Sequence, residues 1–299
     1  MVGGLNGGWM NALERLNRKS IRVTDLASQY WCERQMELRY LYGDKVTKEE
    51  KQGRKIHEML ESETNVPVLL EPKSYADYVY KMLYTDHMAL GALAQNKRTR
   101  EFQIFGLMDG FNLAGKIDEL RIRDGKLLIV EDKTRQSNEV PGESQMLPHK
   151  IQIMFYRDML SALRSGAYTM QRFSEFYGTD RLSLTPEFMR QLQASKVPYD
   201  MCDMKKLEHM VFSQIRMLPE ISGSLYIRYR NQFTGDVIKL YKFAYDEKDV
   251  QGAKDYLLPY WKGDREAMPV PKEEAWKCNW CVFFGKQCKV WWKQQALKQ

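Results

Sequence analysis

Three consecutive β-type runs, EFQIFGL, FNLAGKIDELRIR and KLLIVEDK, are joined at Asp109-Gly110 and Asp124-Gly125. Asp-Gly between alternating apolar runs is a strong signal for a two-residue hairpin loop. A loop that short leaves the register no freedom. At Asp124-Gly125 it pairs Arg123 with Lys126, and therefore Asp118 with Glu131. At Asp109-Gly110 it pairs Met108 with Phe111, and therefore Glu101 with Asp118. Glu101, Asp118 and Glu131 then form one row across three strands, with directly opposed Cβ atoms about 4.5–5.5 Å apart. Leu120, Ile122, Leu127 and Ile129 share that face, so the row is expected to be buried. Buried like charges repel unless something partners them. A divalent cation with oxygen ligands is such a partner. The alternative, an exposed sheet with surface charges, conflicts with an alternation that puts the acids on the apolar face. Lys133 lies two residues beyond Glu131, on the same face, where an ammonium can stabilise charge developing on a phosphate oxygen.

Two further groups belong with the row by residue type. His57 lies in the helical segment GRKIHEML, and imidazole is a common metal ligand, although a lone helical His is more often structural. Gln152 and Tyr156 are spaced i, i+4 in a helix over 150–164 and share a face. They read either as a polar pair at the core edge or as groups that reach a scissile phosphate or position Lys133.

The cysteines make a second constellation. CNWCVFFGKQC, residues 278–288, places Cys278, Cys281 and Cys288 close together, a metal or cluster arrangement. A fourth thiolate would come from Cys32 or Cys202, and zinc and iron–sulfur both accept four. Trp280, Phe283, Phe284, Trp291 and Trp292 are placed to shield such a centre from water. Five cysteines in 299 residues are too few, and odd in number, for a disulfide framework.

The remaining pattern mixes helix and strand. Helices are expected through LASQYWCERQMELRYLY with Thr24 as cap, over 48–62, over much of 72–97, at 149–165, near 184–217 and near 246–260. A hairpin is expected at 224–243 and a long polar loop at 134–149. Residues 1–20 read as a flexible arm without the apolar core of a secretory signal. No run approaches the ~20 apolar residues of a membrane span. With 46 Lys and Arg against 39 Asp and Glu, the net charge is +7, a mild bias toward anionic partners such as nucleic acid.

GKIDEL, EDKTR and the Gln152/Tyr156 helix resemble the RecB-like branch of the PD-(D/E)xK nuclease superfamily. With Cys32 upstream and three C-terminal cysteines, the chain resembles its iron–sulfur members. VTDLASQYWCE, REFQIFGLMDG, GKIDELRIRDGKL and EDKTR are most similar to the exonuclease V family, over residues 21 to 292. The resemblance implies an α/β fold with a restriction-endonuclease-like core, a mixed central sheet flanked by helices. It implies one nuclease domain over 21–299, with a helical insertion at about 62–100 and an iron–sulfur cluster joining the N- and C-terminal regions.

Cys32, Cys278, Cys281 and Cys288 would hold a [4Fe–4S] cluster, leaving Cys202 free. His57, Glu101, Asp118 and Glu131, with the backbone carbonyl of Asp132, would bind Mg²⁺, with Mn²⁺ as an alternative. Asp118, Glu131, Lys133, Gln152 and Tyr156 would be catalytic. Arg54, Lys55, Arg98, Arg100 and Arg135 flank this site and are candidates for a basic path along the DNA backbone.

The implied activity is metal-dependent exonucleolytic hydrolysis of single-stranded DNA in repair or replication. The implied protein is an intracellular monomer, nuclear or mitochondrial in a eukaryote and otherwise cytoplasmic, served by a single-strand DNA-binding protein and no membrane. A Cas4-type CRISPR adaptation nuclease, an inactive nuclease-fold DNA-binding protein and a zinc-bound interaction module are the alternatives.

Overall fold

The computed structural model describes residues 10–43, 46–64 and 68–290. In chain order its elements begin with α1 (Ala12–Arg15), β1 (Ile21–Arg22), α2 (Val23–Tyr42), α3 (Lys48–Ser62) and α4 (Tyr75–Asn96). The meander β2 (Arg98–Met108), β3 (Phe111–Arg123) and β4 (Lys126–Arg135) follows. Then come α5 (Glu143–Ser165), α6 (Met170–Tyr177), α7 (Pro186–Ala194), α8 (Met204–Arg216), β5 (Ser224–Asn231), β6 (Val237–Ala244) and α9 (Glu247–Lys262). The chain, expected as one domain after residue 20, folds as two compact units. One comprises residues 1–47, 141–152 and 246–299; the other comprises 48–140 and 153–245, so the boundary falls within α5.

The second unit is built on a mixed sheet in the order β2-β3-β4-β5-β6. Both Asp-Gly loops have positive φ at both residues, 49° and 85° at Asp109-Gly110, 51° and 71° at Asp124-Gly125. That conformation matches the right-handed twist of the flanking strands, and glycine adopts it without a Cβ penalty. The registers are those the loops dictate: Met108 pairs with Phe111 and Arg100 with Glu119, and Arg123 pairs with Lys126 and Glu119 with Val130. β4 and β5 are parallel, Glu131 beside Ile227 and Lys133 beside Tyr229. The parallel step requires a crossover, and the chain between β4 and β5 carries α5 to α8.

Helices of this unit are secured by conventional caps. Ser74 and Asp77 form a reciprocal capping box at the start of α4. Asp203 accepts from the Lys205 and Lys206 amides at the start of α8. α4 lies in the segment read as a helical insertion and is a packed helix, with Val79, Tyr80 and Leu83 fully buried. Phe105, Phe173, Tyr177 and Phe212 make a run of edge-to-face and tilted ring contacts beneath the sheet.

In the first unit, Asn11 caps α1 and buries Ala12, Leu13 and Leu16 behind it. This part of the expected arm is therefore packed, and the arm's first nine residues lie outside the described ones. α2 is broken at Cys32, whose φ of −168° and ψ of 108° are extended. The expected loop 134–149 is shorter, because α5 starts at Glu143 and carries Pro148 inside it. In the second turn Pro148 removes only one bond from this 23-residue helix.

Close approach limits one glycine of the sheet. A Cβ added to Gly106 on β2 would lie 2.6 Å from Met159 Cγ on α5. Gly106→Ala is expected to overpack this contact and lower stability by ~1–3 kcal/mol, read as a lower urea midpoint at unchanged m-value.

Candidate active site

Strand alternation brings Glu101, Asp118, Glu131 and Lys133 to one face, as the loops require. The row is not a regular ladder. Residue pairing between β3 and β4 runs from Arg123↔Lys126 to Glu119↔Val130 and ends one residue short of Asp118 and Glu131. There the Asp118 carboxylate takes over the link, accepting the Asp132 backbone N–H through Oδ2 at 2.7 Å. Glu101 has a φ of +54°, in the left-handed region, between the pairs Arg100↔Glu119 and Phe102↔Ile117. A side chain of that size avoids this region, and such strain concentrates at functional sites.

α3 delivers the imidazole. His57 Nδ1 lies 3.3 Å from Glu101 Oε1 and 3.5 Å from Asp118 Oδ1. Ligand atoms of His57, Glu101 and Asp118 all lie within 4.8 Å of one another, a set that fits a divalent cation. Glu131, 2% exposed, holds the Lys133 ammonium at 2.9 Å. Lys116 pairs with Glu101 at 3.2 Å.

The electrostatics follow from this crowding. Burial alone would push the His57 imidazole down, but the Glu101 hydrogen bond and the Asp118, Glu101 and Glu131 charges raise it to about 9. Burial pushes Asp118 up. Burial and the Asp118 charge push Glu131 up as well. Burial works against Lys133 as an ammonium, and the Glu131 and Asp118 charges more than reverse that.

Not every expected residue joins this face. Asp132 points its carboxylate to the opposite face, into Arg100, Arg228 and Arg230. Burial opposes ionisation there, yet the Arg228 and Arg100 guanidiniums hold Asp132 far below the usual carboxylate range. Arg98 and Arg100, expected on a DNA path, are bound to Glu119, and Arg100 is fully buried. Arg100 is enclosed between the carboxylates of Glu119 and Asp132, whereas Arg98 is only partly buried. Arg54 and Lys55 are exposed on α3, and Arg135 is half-buried. Gln152 and Tyr156 are both buried on α5.

Four residues near the row were missed. Lys116 shares the face of Asp118 by simple alternation. Glu61 stands one helical turn beyond His57, and burial and the Glu101 charge raise its carboxyl. Arg228 and Arg230 alternate in SLYIRYRN, a visible pattern whose partner, Asp132, lies 96 and 98 residues away.

In the first unit Cys32, Cys278, Cys281 and Cys288 line one small cavity with Trp31, Val270 and Phe284. The break in α2 turns the Cys32 sulfur toward the following turn, where the Gln35 N–H donates to Sγ at 3.4 Å. Gly285, with a φ of 74°, lets the chain reverse so that Cys288 bonds back to Phe283. Burial pushes the Cys32 thiol up to about 11, and the neighbouring thiols add to it. Burial raises the Cys288 thiol as well, and four sulfurs lining one apolar cavity are a donor set that fits a thiolate-bound metal or cluster. Phe283 is buried beside them, but Trp280 is 78% exposed and does not shield the site. Trp291 and Trp292 lie outside the described residues. Cys202 belongs to the other unit, where its Sγ approaches the Pro198 carbonyl at 3.6 Å.

The family model described as "Exonuclease V - a 5' deoxyribonuclease" matches residues 10–125, 122–214 and 201–293. This chain belongs to the Exonuclease V family. Exonuclease V of Danio rerio is 28% identical over 281 residues, 91% of this chain and 70% of the relative. A solved structure described as "Crystal structure of SSO0001" aligns over 90% of each chain at 14% identity, with a TM-score of 0.43. Exonuclease V membership makes the chain a nuclease acting on DNA and implies a divalent metal, for which the His57, Glu101 and Asp118 group is a suitable donor set. No described helix is long and apolar enough to cross a membrane.

The raised His57 pKa sets a pH dependence for the metal-free protein. An imidazolium at about 9 in the fold and about 6.5 unfolded stabilises fully below pH ~6.5, and that contribution is lost as pH rises through ~9. In EDTA, stability is expected to fall by on the order of 2 kcal/mol across that window, read by denaturant melts at stepped pH. His57→Gln is expected to flatten the fall.

Proposed function

We propose that this chain is a Mg²⁺-dependent exonuclease that hydrolyses single-stranded DNA on a PD-(D/E)xK core. The observation that carries the reading is the meeting of His57, Glu101 and Asp118 ligand atoms within 4.8 Å, with Glu131 and Lys133 on the same face. Glu131-Asp132-Lys133 supplies the (D/E)xK element and Asp118 the preceding acid. Mn²⁺ is an alternative metal. The family's description as a 5' deoxyribonuclease supports attack from 5′ ends.

His57, Glu101, Asp118 and Glu131 would hold the ion, with the backbone carbonyl of Asp132 as a further ligand. A divalent ion bound there supplies Lewis-acid stabilisation of phosphate charge and a water of lowered pKa. The protein's own residues do the rest. Glu131 keeps Lys133 charged and fixed on the face of the acids, where an ammonium would stabilise charge on a phosphate oxygen. Lys116 and His57 neutralise the acids until phosphate and metal arrive. Exposed Arg54 and Lys55 on α3 would attract the DNA backbone, so binding weakens steeply with salt. Tyr156 would position Lys133 or the substrate. Repair or replication intermediates supply such strands, and a single-strand DNA-binding protein would present them.

On end-labelled single-stranded DNA with Mg²⁺, Asp118→Asn and Lys133→Ala are each expected to lower kcat by about 10²–10³-fold without loss of fold. Wild-type rates in both would overturn the reading. Substrates blocked at the 5′ or the 3′ end decide the polarity.

The four thiols of the first unit would hold a [4Fe–4S] cluster that joins the segment at Cys32 to that at 278–288. Anaerobically purified protein is expected to be brown, with about four iron and four acid-labile sulfide per chain, and Cys32→Ser is expected to lose both. Colourless protein with one zinc would overturn the cluster assignment.

A further inference from the structure

The reverse face of the sheet, behind the metal row, carries a closed ionic plate. Two buried carboxylates, Glu119 and Asp132, are the immediate chain neighbours of Asp118 and Glu131 and point the opposite way. Arg228 forks onto Asp132 through Nε and Nη2, both at 2.7 Å, and Nη2 also reaches Glu119 Oε2 at 2.8 Å. Arg100 spans the same two acids, Nη1 to Glu119 at 2.7 Å and Nη2 to Asp132 at 2.6 Å. Arg230 Nε adds a bond to Asp132 Oδ1 at 2.8 Å, and Arg98 closes on Glu119 Oε2 at 2.8 Å. Arg100 lies on β2, Glu119 on β3, Asp132 on β4 and Arg228 on β5, so the plate ties four strands together.

Its position decides what it does. The β3–β4 pairing stops at Glu119↔Val130. Past that point Asp118 Oδ2 is held by the Asp132 backbone N–H at 2.7 Å. The direction of that N–H depends on how Asp132 sits, and three guanidiniums clamp the Asp132 carboxylate. We propose that Arg228, with Arg100 and Arg230, is a positioning residue that aims the Asp132 amide at Asp118 and so fixes the Asp118 carboxylate for a divalent metal. The inference rests on the reading of Asp118 as a metal ligand. Groups behind metal ligands that set their orientation govern affinity as strongly as this.

Arg228→Lys tests it. A lysine keeps the charge but cannot fork onto Asp132 and reach Glu119 at once. By calorimetry on the DNA-free protein, the Kd for Mn²⁺ is expected to rise about tenfold. The Mg²⁺ concentration for half-maximal cleavage is expected to rise by a similar factor, with kcat at saturating Mg²⁺ changed less than about threefold. Asp118→Asn, run alongside, separates the failures. If Asp118→Asn binds Mn²⁺ as wild type does, the metal-ligand reading has failed and the inference with it. If Asp118→Asn loses Mn²⁺ while folded Arg228→Lys retains wild-type affinity, the positioning role alone is overturned. A purely structural role would lower the melting temperature and leave Mn²⁺ affinity unchanged. Should Arg228→Lys fail to fold, Arg230→Gln at the plate's partly exposed margin carries the test. It removes one bond to Asp132 and is expected to raise the Kd about threefold. Unchanged affinity in that variant overturns the proposal.

Discussion

Mutual repulsion among buried carboxylates is the constraint around which the second unit is organised. Five acids, Glu101, Asp118, Glu119, Glu131 and Asp132, sit on three adjacent strands, four of them fully or almost fully buried. A sheet tolerates this only if each acid is answered by a cation, because an uncompensated buried charge costs several kcal/mol. The answers differ by face. Behind the sheet, guanidiniums supply charge in excess, and Glu119 and Asp132 are held ionised. In front, His57, Lys116 and Lys133 only match Glu101, Asp118 and Glu131 in number, and burial raises Asp118 and Glu131 above their ordinary range. Adjacent residues on one strand are thereby driven in opposite directions. A divalent ion bound among the front acids would supply the compensation that burial makes them need.

The same logic explains why the basic residues do not all face solvent. Arg98 and Arg100 precede Glu101 closely in sequence, which makes them attractive as DNA contacts. Alternation with Glu101 sends both to the rear, where Glu119 takes them up. The net charge of +7 therefore overstates what is available to nucleic acid. Exposed cations at the site's edge include Lys116 and, on α3, Arg54 and Lys55, which precede the turn that carries His57.

The cysteine cavity shows a parallel economy of means in the first unit. Cys32 occupies a break in α2, and the next turn of the helix starts beneath its sulfur. Cys278, Cys281 and Cys288 are gathered by tight turns closed at Gly285. Segments more than two hundred residues apart meet there, and burial opposes ionisation of Cys32 and Cys288. A bound cationic centre removes that opposition and would secure both segments at once.

Local chemistry determined much of this protein. Two Asp-Gly dipeptides set two registers, and the registers set the row Glu101, Asp118 and Glu131 with Lys133 beside it. Spacing picked out three of the four clustered thiols, and the bounds of α3 follow the amphipathic segment 48–62. These succeed because hairpins and single helices are governed by near neighbours. Only tertiary structure decided the rest: that α3 carries His57 onto Glu101 and Asp118, that Cys32 and not Cys202 meets the other thiols, and that parallel β5 lies beside β4. The last choice brings Arg228 and Arg230 onto Asp132 across nearly a hundred residues. No local rule encodes such a meeting, because the guanidinium pattern of β5 fits any buried acid and only the packed sheet selects which one.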